Sequence, residues 1–553
     1  MKKILLVAVN AKYIHSNLAV YSLRAAARAY GDQIEIAEYT INQQPDQVLG
    51  DIYRRQPDVV AFSCYIWNGE MIGELLQELP KVLPQAELWV GGPEVSYDAP
   101  EFLKRYLKVR GVMRAEGERS FPELASYYIE ETGSLDQISG ITYREETGEL
   151  RENPWAEPVN MDEIPFAYED LKDFNHKIIY YESSRGCPFR CSYCLSSIDK
   201  RVRFRSLPLV KKELQTFLDA QVPQVKFVDR TFNCNPKRTV ELLQWILEHD
   251  NGITNFHFEI AADITTEEEL AIMEKMRPGL IQLEIGVQST NPKTVEAIHR
   301  TMDLTKLEKV VGRVKSFGNI HQHLDLIAGL PYEDVDSFQK SFDDVYAMKP
   351  DQLQLGFLKV LKGSGMRDEA PGYGISWHER APYEVLTTDW LSYGDVLLLK
   401  GVEDMVEVYY NSRQFDRTIG KIMEQYASPF LFFKELAAFY DREGLAGIGH
   451  ARIARYEILR RFLSEEKGWD LKVYDQCMVL DLYARENLKS RPAFAPDLSP
   501  YKEQLKALTR EYGRQVHVEV LEQEQGPVYL MFDYRTRDPL TGDAVMQILE
   551  ETK

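Results

Sequence analysis

Residues 183–197 read SSRGCPFRCSYCLSS and place Cys187, Cys191 and Cys194 at the spacing C-x3-C-x2-C. Three thiolates can hold three irons of a cubane cluster and leave the fourth iron open to a small chelating molecule. A structural zinc ion calls for four ligands, and no second Cys or His pair stands at a suitable distance. Three merely packed thiols are a poor match for a loop flanked by Gly186, Pro188 and polar residues. The other cysteines, Cys64, Cys234 and Cys477, are scattered, which is not a disulfide framework. A tight trio of this kind points to metal or redox chemistry in a reduced compartment.

Around that loop, strand-like and helix-like segments alternate. Strands are expected at Ile178–Glu182, Val225–Val228, Phe256–Ile260, Ile281–Val287, His323–Ile327 and Gln352–Leu358. Six strands with helices between them predict a partial (β/α)6 barrel over residues 176–370, with its chemistry on the loops that follow the strands. Three strand ends carry polar residues in a telling order: HFEIAAD (His257–Asp263), LEIGVQS (Leu283–Ser289) and DLIAGLP (Asp325–Pro331).

The cysteine loop, with Tyr193 just before its third cysteine, and these strand ends resemble the radical SAM superfamily. The resemblance implies a 4Fe–4S cluster on Cys187, Cys191 and Cys194 that cleaves S-adenosylmethionine (SAM) reductively into a radical. It further implies that the backbone of Tyr193 touches the adenine and that Gln288 and Asp325 approach the ribose. Glu259 would contact the ribose or the methionine part. Many members carry Gly-Gly-Glu after the second strand for the SAM amino group. Here that place reads VKFVDRTFNCNP, Val225–Pro236, and Asp229 or the local backbone is expected to substitute.

Residues 1–130 read as a doubly wound, Rossmann-like α/β domain. Strands are expected at Ile4–Val9, Ile34–Ile41, Val59–Ser63, Leu88–Val90 and Val112–Met113, with helices at Leu18–Tyr30 and Met71–Leu79. Such sheets bind ligands beyond the carboxyl ends of their strands. There is no G-x-G-x-x-G after the first strand and no P-loop, which argues against a dinucleotide or a P-loop phosphate site. The runs Ser63-Cys64-Tyr65, GGPEVS and AEGERSF resemble the cobalamin-binding domain that precedes many radical SAM barrels. By that resemblance Ser63, Gly91, Gly92, Glu116 and Gly117 would surround cobalamin. His15 stands where the motif D-x-H-x-x-G places a cobalt-ligating His, with Tyr13 in place of the Asp and Leu18 in place of the Gly. An orienting carboxylate matters to a metal-bound imidazole, so a polar loop role for His15 is weighed against ligation.

Residues 131–175 read as a hairpin and linker. Residues 371–553 read as a mainly helical C-terminal domain ending in two strands, Val516–Leu521 and Val528–Tyr534, with no catalytic motif. Its aromatics, such as Tyr409, Tyr410, Phe430, Phe432 and Phe433, fit a core better than a ligand box. The 553-residue chain carries 66 basic and 86 acidic residues, a formal charge of −20, which does not favour nucleic acid. No apolar run approaches the ~18 residues of a membrane span, and the chain is expected in the cytoplasm. The implied enzyme methylates an unactivated carbon of an unknown substrate, drawing electrons from a donor such as flavodoxin or ferredoxin. The alternatives are a cobalamin-assisted rearrangement or electron transfer without methylation, and a non-enzymatic cofactor-dependent sensor.

Overall fold

An apolar run too short for a helix is stable when both of its faces are covered, and the first strand follows that rule. Every residue of β1 (Ile4–Asn10) is buried. In the computed structural model, which describes residues 2–549 apart from 169, 175, 514, 524 and 525, β1 is an interior strand, second from one edge, of a seven-stranded sheet. Its neighbours are β2 (Ile34–Thr40) and β3 (Val59–Ser63), both parallel to it. The sheet continues through β4 (Glu87–Gly91) and β5 (Val109–Met113), giving the order β2-β1-β3-β4-β5. The chain reverses direction across the sheet between β1 and β3, which opens a crevice at their carboxyl ends.

The hairpin expected in a linker is instead the edge of this sheet. Strands β6 (Ile141–Arg144) and β7 (Leu150–Glu152) add antiparallel to β5, with Gly111 opposite Tyr143 and Val112 opposite Thr142. Ile141 and Thr142 are fully buried there. Turn residues in the sequence announce a hairpin but not the sheet it joins.

The second sheet is an open, all-parallel arc of six strands. They are β8 (Ile179–Tyr181), β9 (Gln224–Phe227), β10 (Asn255–Ile260), β11 (Ile281–Gln288), β12 (His321–Ala328) and β13 (Gln352–Phe357), adjacent in chain order. Crossover helices cover the convex face. The helix Leu304–Phe317 is typical: the Asp303 side chain accepts from the Lys306 amide at its start, and Gly318 ends it in a left-handed conformation. Its Leu307, Val311 and Val314 are buried, one stripe at helical spacing.

Apart from a short antiparallel pair, Ser376–Trp377 with Val385–Thr387, the C-terminal region is mainly helical to Arg485, and it closes with β14 (Val516–Gln523), β15 (Gly526–Arg537) and β16 (Ala544–Leu549), an antiparallel sheet with one strand more than expected. The aromatics are core: Tyr409, Phe430, Phe432 and Phe433 are each 0% exposed. Phe430 and Phe433 pack on Phe342 of a barrel helix, so this region is seated on the barrel's outer layer.

Candidate functional site

The cysteine loop leaves β8 through a short antiparallel pair, Ser184–Arg185 against Arg203–Phe204. Gly186 follows at φ +96°, where a Cβ would lie 2.3 Å from the Arg201 carbonyl, so the turn into Cys187 requires glycine. The three cysteines carry free thiols. Among the described residues no three His, Cys, Asp or Glu side chains converge as ligands of a single ion would. The loop is tied down on its far side, where the Ser192 amide donates to the Ile298 carbonyl at 2.9 Å and the Met366 amide donates to Ser192 at 2.8 Å.

Arg300 is a residue the sequence did not single out. Its guanidinium lies 3.8 Å from the Cys191 sulfur and 3.4 Å from the Tyr193 hydroxyl, and it donates to the Gly286 carbonyl. Positive charge and a hydrogen bond at a cluster sulfur favour the reduced state. Arg300→Met should therefore retain iron while lowering the cluster potential, by tens of millivolts, about the 30–60 mV scale of a tenfold equilibrium shift. Spectroelectrochemical titration of the reconstituted variant reads this directly, and an unchanged potential would show that Arg300 only packs.

The concave face of the second sheet is polar. Along β10, β11 and β12 fully buried, mainly apolar residues alternate with partly buried, mainly polar ones. Lys226 of β9 reaches Glu284 of β11 at 3.0 Å across the intervening strand, which only a concave face allows. His257 also contacts Glu284, at 3.1 Å. Burial alone would raise the Glu284 pKa, but His257, Lys226 and His323 together hold it down to about 2. Glu259 has no such partner, with Arg230 at 4.0 Å, and burial pushes its carboxyl up to about 7. Asp325 sits 3.1 Å from His323 of the same strand, in poor alignment for a hydrogen bond. Burial, opposed by that His323, raises its pKa.

Gln288 ends β11 at φ +71°, at a bulge in the pairing with β12. Its Nε2 would lie 2.3 Å from a Cβ on Gly286, and its buried Oε1 has no protein partner. A strained backbone and an orphaned acceptor at a strand end mark a ligand-facing group. The strain is held from behind. Glu333 accepts from Ser289 at 2.6 Å and from Ser341 at 3.0 Å, and burial lifts its carboxyl to about 7. Between the unfolded value near 4.5 and about 7, native Glu333 holds more protons than unfolded Glu333, so its share of stability falls as pH rises through that window. Relative to Glu333→Gln, the apoprotein should lose up to about 3 kcal/mol between pH 5 and pH 8. Denaturant melts of both proteins at the two pH values test it, and parallel pH profiles would refute it.

Asp229, expected as a stand-in for the SAM amino-group site, is otherwise engaged. It accepts from the Ser183 amide at 2.7 Å and from the Ser183 and Ser184 hydroxyls at 2.6 and 2.7 Å. It anchors the start of the cysteine loop.

The carboxyl ends of the first sheet, and of β8 and β9 of the second, open onto one cavity of about 970 Å³, which the three loop cysteines, Tyr193, Glu259, Gln288 and Asp325 do not line. From the first sheet it is lined by His15, Ser63, Gly91, Gly92, Glu116 and Gly117, and from the second by Tyr180, Glu182, Arg185 and Arg230. It extends between the sheet and the helices that follow β1 and β5, past Leu6, Leu23, Trp89 and Phe121. Gly92, at φ +108°, has its α-hydrogen face 2.4 Å, in Cβ terms, from the Cys64 carbonyl, so two strand-end loops meet there. His15 faces the barrel: its Nδ1 is 2.6 Å from the Tyr180 hydroxyl, and Ser16 donates to the Ile178 carbonyl at 2.8 Å. Burial lowers the His15 pKa, with Lys12 and Lys226 adding to it. Glu116 lines the cavity with its carboxylate already bound to Arg203, to Arg185 at 3.2 Å and to the Val159 amide at 3.1 Å.

Two ionic seams join the sheets beside the cavity. In one, Arg185 contacts Glu116, Glu118 at 2.8 Å and Glu182 at 2.6 Å. In the other, Lys362, beyond β13, meets Glu94 at 3.1 Å and Asp98 at 3.0 Å, and Tyr383 donates to Glu94.

Residues 4–125 match the family described as B12 binding domain, and residues 181–345 match the radical SAM superfamily. Residues 371–526 match a protein family of unknown function, DUF4080. An uncharacterized methyltransferase, PH0819 of Pyrococcus horikoshii, is 24% identical over 361 residues, covering 63% of this chain and 74% of that protein. The cobalamin-dependent radical SAM methyltransferase TokK of Streptomyces tokunonensis is 24% identical over 337 residues, covering 56% of this chain and 49% of its own. The chain thus spans three quarters of one relative and about half of the other. The solved structure of the cobalamin-dependent SAM radical enzyme OxsB with aquacobalamin has the same fold, with a TM-score of 0.61 at 16% identity, covering 93% of this chain and 84% of that one. A B12-binding sheet set against a radical SAM barrel defines a class of radical enzymes that work with two large cofactors. The chain carries a B12 binding domain followed by a radical SAM domain in one polypeptide. Among the described residues no helix is long and apolar enough to cross a membrane.

Proposed function

We propose that this enzyme methylates an unactivated carbon of a substrate held where the two sheets face each other. The observation that carries the reading is a cavity of about 970 Å³ bordered by the strand ends of the first sheet, by the ends of β8 and β9, and by Gly186, Leu195 and Arg201 of the cysteine loop. Bound on the cysteine loop beside this cavity, the 4Fe–4S cluster would supply the electron that cleaves SAM, and cobalamin in the cavity would supply the carried methyl group.

Cys187, Cys191 and Cys194 hold the cluster, and Arg300 neutralises charge behind it. The Tyr193 backbone, Gln288, Asp325 and Glu259 receive the nucleoside and methionine parts of SAM. The free Gln288 Oε1, held forward by its strained backbone, is the acceptor a ribose hydroxyl needs. Ser63, Gly91, Gly92 and Gly117 form the wall against which cobalamin lies, and small residues there let a broad ring approach the backbone. His15, bonded to Tyr180, serves the barrel wall rather than the cobalt. The walls exclude water from the reacting carbon. The electron comes from a one-electron carrier such as flavodoxin or ferredoxin. Arg190, Lys200 and Arg201 are exposed on the cysteine loop of this otherwise acidic chain and suit an acidic carrier. Six free thiols suit the reducing cytoplasm.

The test begins with protein purified without oxygen and reconstituted with iron, sulfide and hydroxocobalamin. About four irons and near-stoichiometric cobalamin per chain are expected, followed by transfer of labelled methyl from SAM to a substrate. Iron without cobalamin would overturn methyl transfer.

A further inference from the structure

The sequence assigned Glu116 to the cobalamin wall and left Arg185 and Arg203 without a role. The structure joins all three. Arg185 stands two residues before Cys187, on the strand that leads into the cysteine loop. Arg203 stands directly opposite it, on the strand by which the loop returns. Both guanidinium groups converge on Glu116, at the carboxyl end of the first sheet. Arg185 also holds Glu118, at 2.8 Å, on the other side of Gly117. Arg203 also holds Asp199 at 3.1 Å and donates to the Val159 carbonyl at 2.8 Å. The Cys187 amide in turn donates to the Asp199 carbonyl at 3.4 Å. Each of these charges is about four-fifths buried or more, apart from Asp199. Planar guanidinium groups clamped between carboxylates hold direction as well as distance.

Resting on the two-cofactor reading above, we infer that Glu116, Arg185 and Arg203 are positioning residues that fix the cluster loop against the cobalamin wall. The base of the cysteine loop and the loop bordering the cavity behave as one rigid ionic unit. The separation between cluster and cobalt is then set by this clasp and not by general packing of one sheet on the other. No other described contact ties both strands at the base of the loop to the first sheet.

Removing Arg185 would strand the buried carboxylates of Glu118 and Glu182 and unsettle the fold, so the informative variants are Glu116→Gln and Arg203→Lys. Each keeps size and removes charge or fork geometry. Both are reconstituted with iron, sulfide and hydroxocobalamin, and their iron and cobalamin contents are compared with the parent protein. The decisive readout is magnetic: the relaxation of the cob(II)alamin EPR signal beside the reduced cluster, which depends steeply on their separation. In Glu116→Gln and Arg203→Lys the cob(II)alamin signal should saturate at several-fold lower microwave power, with both cofactors still bound. Glu116→Asp, which retains charge on a shorter arm, should fall between the two. Lys211→Gln, which breaks the exposed pair to Glu241 away from the cavity, should match the parent.

Unchanged relaxation in both variants at full cofactor loading overturns the inference. So does an equal change in Lys211→Gln, which would mark a general loosening. A parent protein that binds no cobalamin fails at the earlier step and overturns the two-cofactor reading itself.

Discussion

Cys187→Ala, Cys191→Ala and Cys194→Ala should each reduce 5′-deoxyadenosine formation from SAM to background, the largest single-residue effect in the molecule. Two thiolates cannot hold a cubane cluster with one iron left free for SAM. The cysteines are free and the loop's shape is held by bonds that do not involve sulfur. These include the Gly186 turn, the Asp229 bonds to Ser183 and Ser184, and the Ser192 amide to Ile298. The variants should therefore stay folded. Iron analysis and the visible absorption of the reconstituted proteins check the prediction, with cobalamin content as an internal reference. Cobalamin should bind as in the parent protein, because its proposed wall lies on the other sheet. A variant that kept four irons and cleaved SAM would remove that cysteine from the site.

Gly92→Ala should give the opposite dissociation, with loss of cobalamin and retention of iron. The residue has φ +108°, a region that L side chains rarely enter at a cost of about 1–3 kcal/mol. Its added Cβ would also stand 2.4 Å from the Cys64 carbonyl, a backbone atom that cannot turn aside. Relief requires the loops after β3 and β4 to part, and both loops border the cavity. Those loops are otherwise fixed to the first strand, since Asn68 donates to the Val9 and Ser63 carbonyls at 2.9 Å each. Cobalamin affinity should fall at least tenfold, the equivalent of about 1.4 kcal/mol. Equilibrium dialysis of the cobalt and iron contents separates this from a general loss of fold. Undiminished cobalamin binding would place the cofactor elsewhere.

The sheets were legible in the sequence because their strands are buried on both faces or alternate cleanly. Val59–Ser63 is found with its expected bounds, and β1, β2, β10 and β13 differ by one residue at an end. The loop cysteines stood out by their spacing, Gln288 as the polar end of its strand, and Glu259 and Asp325 as carboxylates set between apolar neighbours within theirs. The same alternation carried a signal that was not used. In FHFEI, IQLEIGVQ and HQHLDLIA every second residue except Gly286 and Ile327 is polar, and these residues line the concave face. His257, Glu284 and His323 could have been found that way. Other features had no local sign. Asp229 looked like a free acid at a strand end, and only the fold brings Ser183 and Ser184 to it. Glu116 and Arg203 are 87 positions apart, and no spacing rule joins them. The strand Ala544–Leu549 is recruited by β15, whose register with it is set by tertiary pairing.

Lys362 meets Glu94 and Asp98, and Tyr383 donates to Glu94, so a second ionic seam joins the first sheet to the segment beyond β13. Its charges lie largely out of water, with Lys362 18% and Glu94 9% exposed, and buried pairs are screened little by salt. The two sheets should therefore keep their facing orientation, and the cavity its width, across a wide range of ionic strength.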